Sequence, residues 1–253
     1  MRAVVVALGK IGLPIAVQLA RAGHHVVGCD IDGRVVDAVN AGRAPFPGEA
    51  HLDEFLMAVV ETHHLRATTD TTAAVEEGAD LVICVPPLVV DERALPDWTA
   101  LDAVVEAVGA GLQPGTTVSI ETTVPVGTTR QRVAPALARA SGLIEEQDFF
   151  TVFSPERVFS GRVFADLETY PKLVGGLSPE GEARGVQLYD AFIAPEVRAM
   201  GGAEAAELTK LVETTYRDVN IALANEFARH ADALGIDVQQ VIDAANSQPF
   251  SHV

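Results

Sequence analysis

Short apolar runs recur along the chain at Val4–Val6, Val26–Cys29, Leu81–Val85, Val118–Glu121, Phe150–Phe153 and Leu173–Val174. Each reads as a strand. Between most of them, apolar positions repeat at helical spacing: Leu13–Ala22, Val35–Ala41, Leu52–His63, Leu101–Val108, Thr128–Ala140 and Glu180–Phe192. This alternation predicts an α/β fold, a Rossmann-like doubly wound and mostly parallel sheet with both faces covered. Pro86-Pro87, Pro114-Gly115 and Pro125-Val126-Gly127 mark loops, and Pro45–Gly48 marks a turn before the helix at Leu52. Beyond about Gly201 the pattern changes. Ala203–Leu234 holds no proline and no glycine, and Gly235 follows as a C-cap. At 1.5 Å per residue this is a long central helix of roughly 50 Å, suited to linking two domains or packing against a symmetry mate. Asp237 N-caps a further helix, Val238–Ala245, and the tail Ser247–Val253 reads as a loop. The expected division is residues 1–200 as a dinucleotide-binding domain and 201–253 as a helical linker and dimerisation region.

The first turn carries the sharpest chemical signal. Ala7-Leu8-Gly9-Lys10-Ile11-Gly12 links the first strand to the first helix, and the second strand ends at Asp30, 18 positions after Gly12. In such a unit glycines let the backbone approach a pyrophosphate at a helix N-terminus, and the acid binds the ribose. Gly9, Lys10, Ile11, Gly12 and Asp30 are therefore expected to bind a dinucleotide. The first glycine of that fingerprint is Ala7 here. Asp30 favours NAD, because its charge repels a 2′-phosphate; Arg34 is close enough to accommodate one.

Charge narrows the partners. A net charge of −17 argues against nucleic acid and anionic membrane surfaces. No apolar run approaches a membrane span, and Met1-Arg2 leads straight into the first strand. Cys29 and Cys84 both lie in strand-like runs and read as buried free thiols, which fits a reducing cytoplasm.

Four loops lie where an open α/β sheet places ligands: Gly9–Gly12, Val85-Pro86-Pro87, Glu121–Pro125 and Ser154-Pro155-Glu156-Arg157. On the long helix Glu207, Lys210, Thr214, Arg217 and Ile221 share one face, which suits the border of a crevice. Each also has a plain structural reading. Glu207 and Lys210 make a solvated helical ion pair, Ser154 an N-cap, and Thr122 and Thr123 ordinary strand-end residues. His63-His64 lacks the spacing of a helical metal pair, and no metal site is expected.

In their order and spacing these segments resemble the UDP-glucose/GDP-mannose dehydrogenase family, and within it the branch acting on UDP-N-acetylmannosamine. The resemblance rests on Gly9–Pro14, Asp30, Val85-Pro86, Glu121–Thr128, Ser154–Val158 and Glu207–Glu226, above all Tyr216–Glu226. It implies an NAD-dependent oxidation of a UDP-sugar at its C6 alcohol, twice, to the uronate. A cysteine traps the aldehyde between the two hydride transfers. It further implies that Lys210 stabilises the oxyanion, with Thr214 beside it, and that Thr123 and Glu156 hold or activate water. Val85, Pro86 and Thr123 would join the cofactor site, and the chain would form a homodimer through the long helix. The sequence also departs from the family. Ala7 replaces a glycine, a threonine is missing between Pro86 and Pro87, and Thr214 replaces an asparagine. The Gly-Gly-His-Cys segment that supplies the nucleophile does not occur in these 253 residues, so this chain alone is expected to bind NAD without completing the reaction. The rival readings are a shortened relative with a single or different NAD-dependent redox step, and a non-enzymatic NAD-binding or dimerising paralogue.

Overall fold

The computed structural model describes residues 1–248. Its first unit, residues 1–208, is built on an eight-stranded sheet. The chain runs through β1 (Arg2–Val6), α1 (Gly12–Arg21), β2 (His25–Cys29), α2 (Gly33–Asn40), α3 (Leu52–Glu61), β3 (Leu65–Thr68), α4 (Thr71–Glu76) and β4 (Leu81–Cys84). A short hairpin, β5 (Val89–Val90) and β6 (Pro96–Asp97), precedes α5 (Thr99–Gly111) and β7 (Thr117–Ile120). A π-helical turn, Thr129–Val133, leads into α6 (Ala134–Ser141). Then come β8 (Phe150–Phe153), α7 (Val163–Leu167), β9 (Lys172–Gly176), α8 (Pro179–Asp190), β10 (Val197–Ala199) and the start of α9 (Ala203–Leu234).

The strand order is β10-β9-β8-β7-β4-β1-β2-β3. All six strands from β8 to β3 are parallel, as the alternating pattern predicts. The far edge departs from it: β9 runs antiparallel to β8, and β10 follows β9. Side chains on a strand alternate between faces, and here both faces are covered. Ala3 and Val5 pack into one apolar core with Leu13 and Val17 of α1, whereas Val4 and Val6 join another with Val75 of α4 and Val105 of α5. Burying a strand on both sides removes any need for polar alternation, which is why these strands read as continuous apolar runs.

The order reverses between β1 and β4. From β1 the chain moves outward through β2 and β3, then returns to pair β4 on the other side of β1. The loops leaving β1 and β4 therefore diverge, opening the crevice where such sheets bind ligands.

The sequence pattern missed the smaller elements. β3 carries an exposed arginine, Arg66, between two buried positions, and α4 has six residues. Such segments take their structure from docking on the sheet rather than from their own periodicity. In the second unit, from Thr209 onward, the rest of α9 is joined through Gly235 (φ 68°) to α10 (Val238–Ala245). Asp237 caps α10 by accepting from the Gln239 amide at 2.9 Å. Of the tail expected as a loop, residues 249–253 lie outside the described residues.

Candidate functional site

The turn after β1 is shaped by contacts that few residues tolerate. A Cβ on Gly12 would lie 2.0 Å from the Ala7 carbonyl oxygen, so α1 approaches the strand this closely only because position 12 is glycine. A Cβ on Gly9 would meet nothing within 4 Å, which leaves open space in front of the turn. Ala7 adopts φ 75° and donates its amide to Cys29 at 2.8 Å. Left-handed backbone costs a residue with a Cβ roughly 1–2 kcal/mol; the fingerprint places glycine here for that reason. Ile11 provides no side-chain cap to α1, Pro14 lacks a donor, and the Leu13 amide bonds the Gly9 carbonyl at 3.1 Å, so no side chain caps the start of the helix.

Asp30 ends β2 beside this turn. Its carboxylate accepts from the amides of Leu8 at 2.8 Å and Asp32 at 3.0 Å, which fixes the acid to the loop it faces. Gly9, Lys10, Ile11, Gly12, Asp30, Val85 and Pro86 all line one cavity of about 530 Å³ at the switch point, closed opposite by alanines of α5. Arg34 and Thr123 do not line it. Arg34 is instead held in a two-pronged ion pair by Asp32, which also caps α2. An arginine engaged in this way is poorly placed to greet a 2′-phosphate.

The loops after β7 and β8 enclose a second constellation. Lys172, at the start of β9, donates to Glu121 at 2.9 Å and to Glu156 at 2.8 Å, and all three side chains are buried. Tyr189 of α8 donates to the other oxygen of Glu121 and lies 2.7 Å from Ser119 Oγ. Burial pushes the Glu121 carboxyl up to about 7 despite the neighbouring ammonium. Burial opposes the charge on Lys172, but the two carboxylates outweigh it and raise its pKa above the ordinary lysine value. Glu156 also accepts from the Arg157 amide at 2.7 Å. Ser154 does not cap a helix. Its hydroxyl donates to Leu173 across the β8–β9 pair at 2.8 Å, and the next helix begins only at Val163. Thr122 donates to the Pro86 carbonyl, tying this region to the cavity at the switch point, while Thr123 is exposed beside it.

Glu207 departs from its reading as a solvated surface carboxylate. It is fully buried, accepting from the amides of Gly127 at 2.5 Å and Thr129 at 2.9 Å and from the Thr129 hydroxyl at 2.7 Å. The carboxylate thus satisfies donors at the start of the helical segment that carries the chain onward from Thr123. In the second unit Lys210 and Thr214 are partly buried on one helical face, with the Thr214 hydroxyl donating to the Lys210 carbonyl at 2.9 Å; Arg217 is exposed.

Lys172 and Tyr189 escaped the sequence reading because neither stands in a recognisable motif. Glu121 stands at a strand end and in a loop, and nothing in its own segment marks it as a partner of Lys172. Burial raises the pKa of both cysteine thiols, that of Cys29 to about 12, which makes them inert rather than nucleophilic. Among the described residues no group of three or more His, Cys, Asp or Glu side chains is placed to hold a metal ion, and no helix is long and apolar enough to cross a membrane.

Residues 1–193 match the NAD binding domain of the UDP-glucose/GDP-mannose dehydrogenase family, and residues 204–253 match its central domain. The UDP-N-acetyl-D-mannosamine dehydrogenase of Pyrococcus horikoshii is 38% identical over 98% of this chain and 58% of its own length. An NDP-N-acetyl-D-galactosaminuronic acid dehydrogenase of Ralstonia nicotianae is 36% identical over 97% of this chain and 58% of its own. The chain thus spans somewhat over half the length of these relatives. The solved P. horikoshii structure superposes on all of this chain and 59% of its own, with a TM-score of 0.94 and 35% identity. A GDP-mannose dehydrogenase from Pseudomonas aeruginosa covers 98% of this chain and 57% of its own, at 0.90 and 26%.

Proposed function

The chain belongs to the UDP-glucose/GDP-mannose dehydrogenase family, and from that premise we propose that it serves as the cofactor-binding and central part of an NAD-dependent UDP-sugar 6-dehydrogenase. The substrate we assign is UDP-N-acetylmannosamine, the sugar nucleotide named for the P. horikoshii relative. The observation that carries this reading is the cavity of about 530 Å³ at the switch point, where Gly9–Gly12, Asp30, Val85 and Pro86 converge.

These residues fit a dinucleotide. The space in front of Gly9 admits a pyrophosphate to the uncapped start of α1, and Asp30 is anchored where an adenosine ribose would present its hydroxyls. NAD, when bound, supplies the hydride acceptor. The chain's own groups then serve the sugar. Lys210 provides a positive charge for the oxyanion that develops at the reacting carbon, with Thr214 on the same face. Glu156 and Thr123 hold the water, and Glu156 is the carboxylate suited to take a proton from it. The apolar side of α9 covers a second copy of the chain in a homodimer, and the reducing cytoplasm is the compartment that suits two free thiols.

Calorimetry tests the cofactor assignment: micromolar binding of NAD, with NADP at least tenfold weaker, is expected. Tighter binding of NADP overturns it. The 253-residue chain is also expected to give no uronate from NAD and UDP-N-acetylmannosamine, because no cysteine here can hold the aldehyde between hydride transfers. Catalytic uronate formation that Lys210→Ala abolishes would show that another group replaces that thiol.

A further inference from the structure

Strand pairing gathers basic and imidazole side chains at the amino ends of β1, β2 and β3. Arg2 pairs with His25, and His64, one residue before β3, follows in the same row. The His25 and His64 rings stack with centroids 5.3 Å apart and planes 6° from parallel. Val4, Val27 and Arg66 form the next row on that face, since side chains alternate along a strand. The short helix α4 covers this face but ends at Glu76, and a cavity of about 290 Å³ lies between it and the strands. The cavity floor is apolar, from the buried Val4, Val27 and Ala74. Around it stand Arg2, Arg66 and Glu77, with three of the chain's seven histidines, His25, His63 and His64. It shares no lining residue with the cavity at the switch point, which lies at the other ends of the same strands.

Charge and donors point to an anion. Arg2 and Arg66 both turn to Glu77, at 3.1 and 2.7 Å, each through Nη2. Two guanidinium groups thus share one carboxylate among the lining residues, a local positive excess in a chain of net charge −17. Asp80, outside the lining, takes the Arg2 backbone amide at 2.8 Å rather than its side chain. Exposed ion pairs add little to stability, so holding the fold together does not account for two arginines on one acid. Nε and Nη1 of both guanidinium groups are left for a second acceptor, and that planar fork matches a phosphate. A neutral imidazole already carries one N–H donor, so the histidines serve such a group without being charged. The volume is close to the lower end of small-molecule sites, about 300 Å³, and exceeds what a phosphate group alone would fill. The apolar floor and the parallel imidazole rings suit a flat ring attached to that phosphate. We propose that this cavity is a second ligand site, separate from the switch-point crevice, for a phosphate monoester carrying a flat ring, of the size of a nucleoside monophosphate. Its phosphate lies on Arg2 and Arg66, and its ring lies over Val4 and Val27 beside His25.

The test uses the 253-residue chain with uridine 5′-monophosphate as the probe and NAD in excess to fill the cavity at the switch point. Proton–carbon NMR of the imidazole rings reports the site directly, with His25→Gln and His64→Gln giving the assignments. The monophosphate should shift the His25 and His64 signals and leave those of His51 and His230 in place. By calorimetry it should bind about tenfold more tightly than inorganic phosphate or uridine, because only the monoester meets both the arginines and the apolar floor. Arg66→Gln and Arg2→Gln should each weaken it about tenfold, while NAD affinity stays within about threefold of the parent chain. Thermal unfolding of each variant separates loss of the site from loss of the fold, and if Arg66→Gln is unstable, Arg2→Gln decides. A monophosphate that moves neither histidine signal at millimolar concentration, or whose affinity survives the arginine substitutions, overturns the proposal. Equal affinity for inorganic phosphate and the monophosphate would overturn the assignment of a ring-bearing ligand.

Discussion

The two units bury their apolar residues in opposite ways. In residues 1–208 the central strands are sealed on both faces, and Leu13, Val17, Leu81, Ile83 and Val118 are wholly inaccessible to solvent. In the second unit the helix leaves Val212, Val219 and Ile221 more than half exposed, with Leu223 and Phe227 nearly so. A helix of this length gains most of its stability from packing an apolar face rather than from propensity. The first unit carries its own core. The second leaves these apolar side chains open to solvent, and it is on them that the proposed dimer rests.

The harshest test of this contrast strikes the first unit where it has no slack. Gly12→Ala places a methyl group against the Ala7 carbonyl and should cost about 3 kcal/mol in urea unfolding, with loss of NAD binding. Gly9→Ala meets no neighbour, so it should leave stability within about 0.5 kcal/mol while still lowering NAD affinity. Equal destabilisation by the two would contradict the close approach at Gly12. The second unit should answer to a partner instead. Light scattering at micromolar concentration should give twice the chain mass. Val219→Asp with Leu223→Asp should return it to a single chain, with the unfolding midpoint of the first unit unchanged. A monomer in the parent chain would remove the argument from exposure.

Protons sharpen the contrast further, because the strongly raised carboxyls both belong to the first unit. Burial pushes Glu145 up to about 7, as it does Glu121. The folded pKa exceeds the unfolded one, so the stability each contributes is full below about 4.5 and is lost as pH rises through about 7. Thermal unfolding should therefore occur at a lower temperature at pH 8 than at pH 5, and Glu145→Gln should reduce that difference by about 2–4 °C. A difference unchanged by Glu145→Gln would show that this carboxyl ionises as freely in the folded chain as in the unfolded one. The smallest expected effect is at Ala7, where Ala7→Gly relieves left-handed backbone but adds freedom to the unfolded chain. A net gain of about 0.5–1 kcal/mol, with tighter NAD binding, is expected from denaturation and calorimetry. No gain in either would show that the methyl group is harmless to the turn.

Much of the candidate cofactor site was legible because its demands are local. A turn that must approach a phosphate requires Gly9 and Gly12 within four residues of each other, and Asp30 must end the next strand. The long helix was legible because Ala203–Leu234 is continuous in sequence. The carboxylate cluster was not, since Glu121, Glu156, Lys172 and Tyr189 come from four separate segments and share no spacing. Glu207 misled for a related reason. Three residues before a lysine on a helix, a glutamate looks like half of a surface ion pair, and nothing in its own segment reveals the amides of Gly127 and Thr129 that receive it.

The sequence by itself determined the main strands and helices and the glycine-bearing turn expected to meet the dinucleotide, because those features depend on backbone sterics and on apolar period over a few neighbouring residues. Tertiary structure alone decided the antiparallel turn of β9, the burial of Glu207 and the sharing of Lys172 between two carboxylates. Those depend on which distant segments the sheet order brings side by side. The free energy of a buried charge is set by the partners that remain when water has been removed.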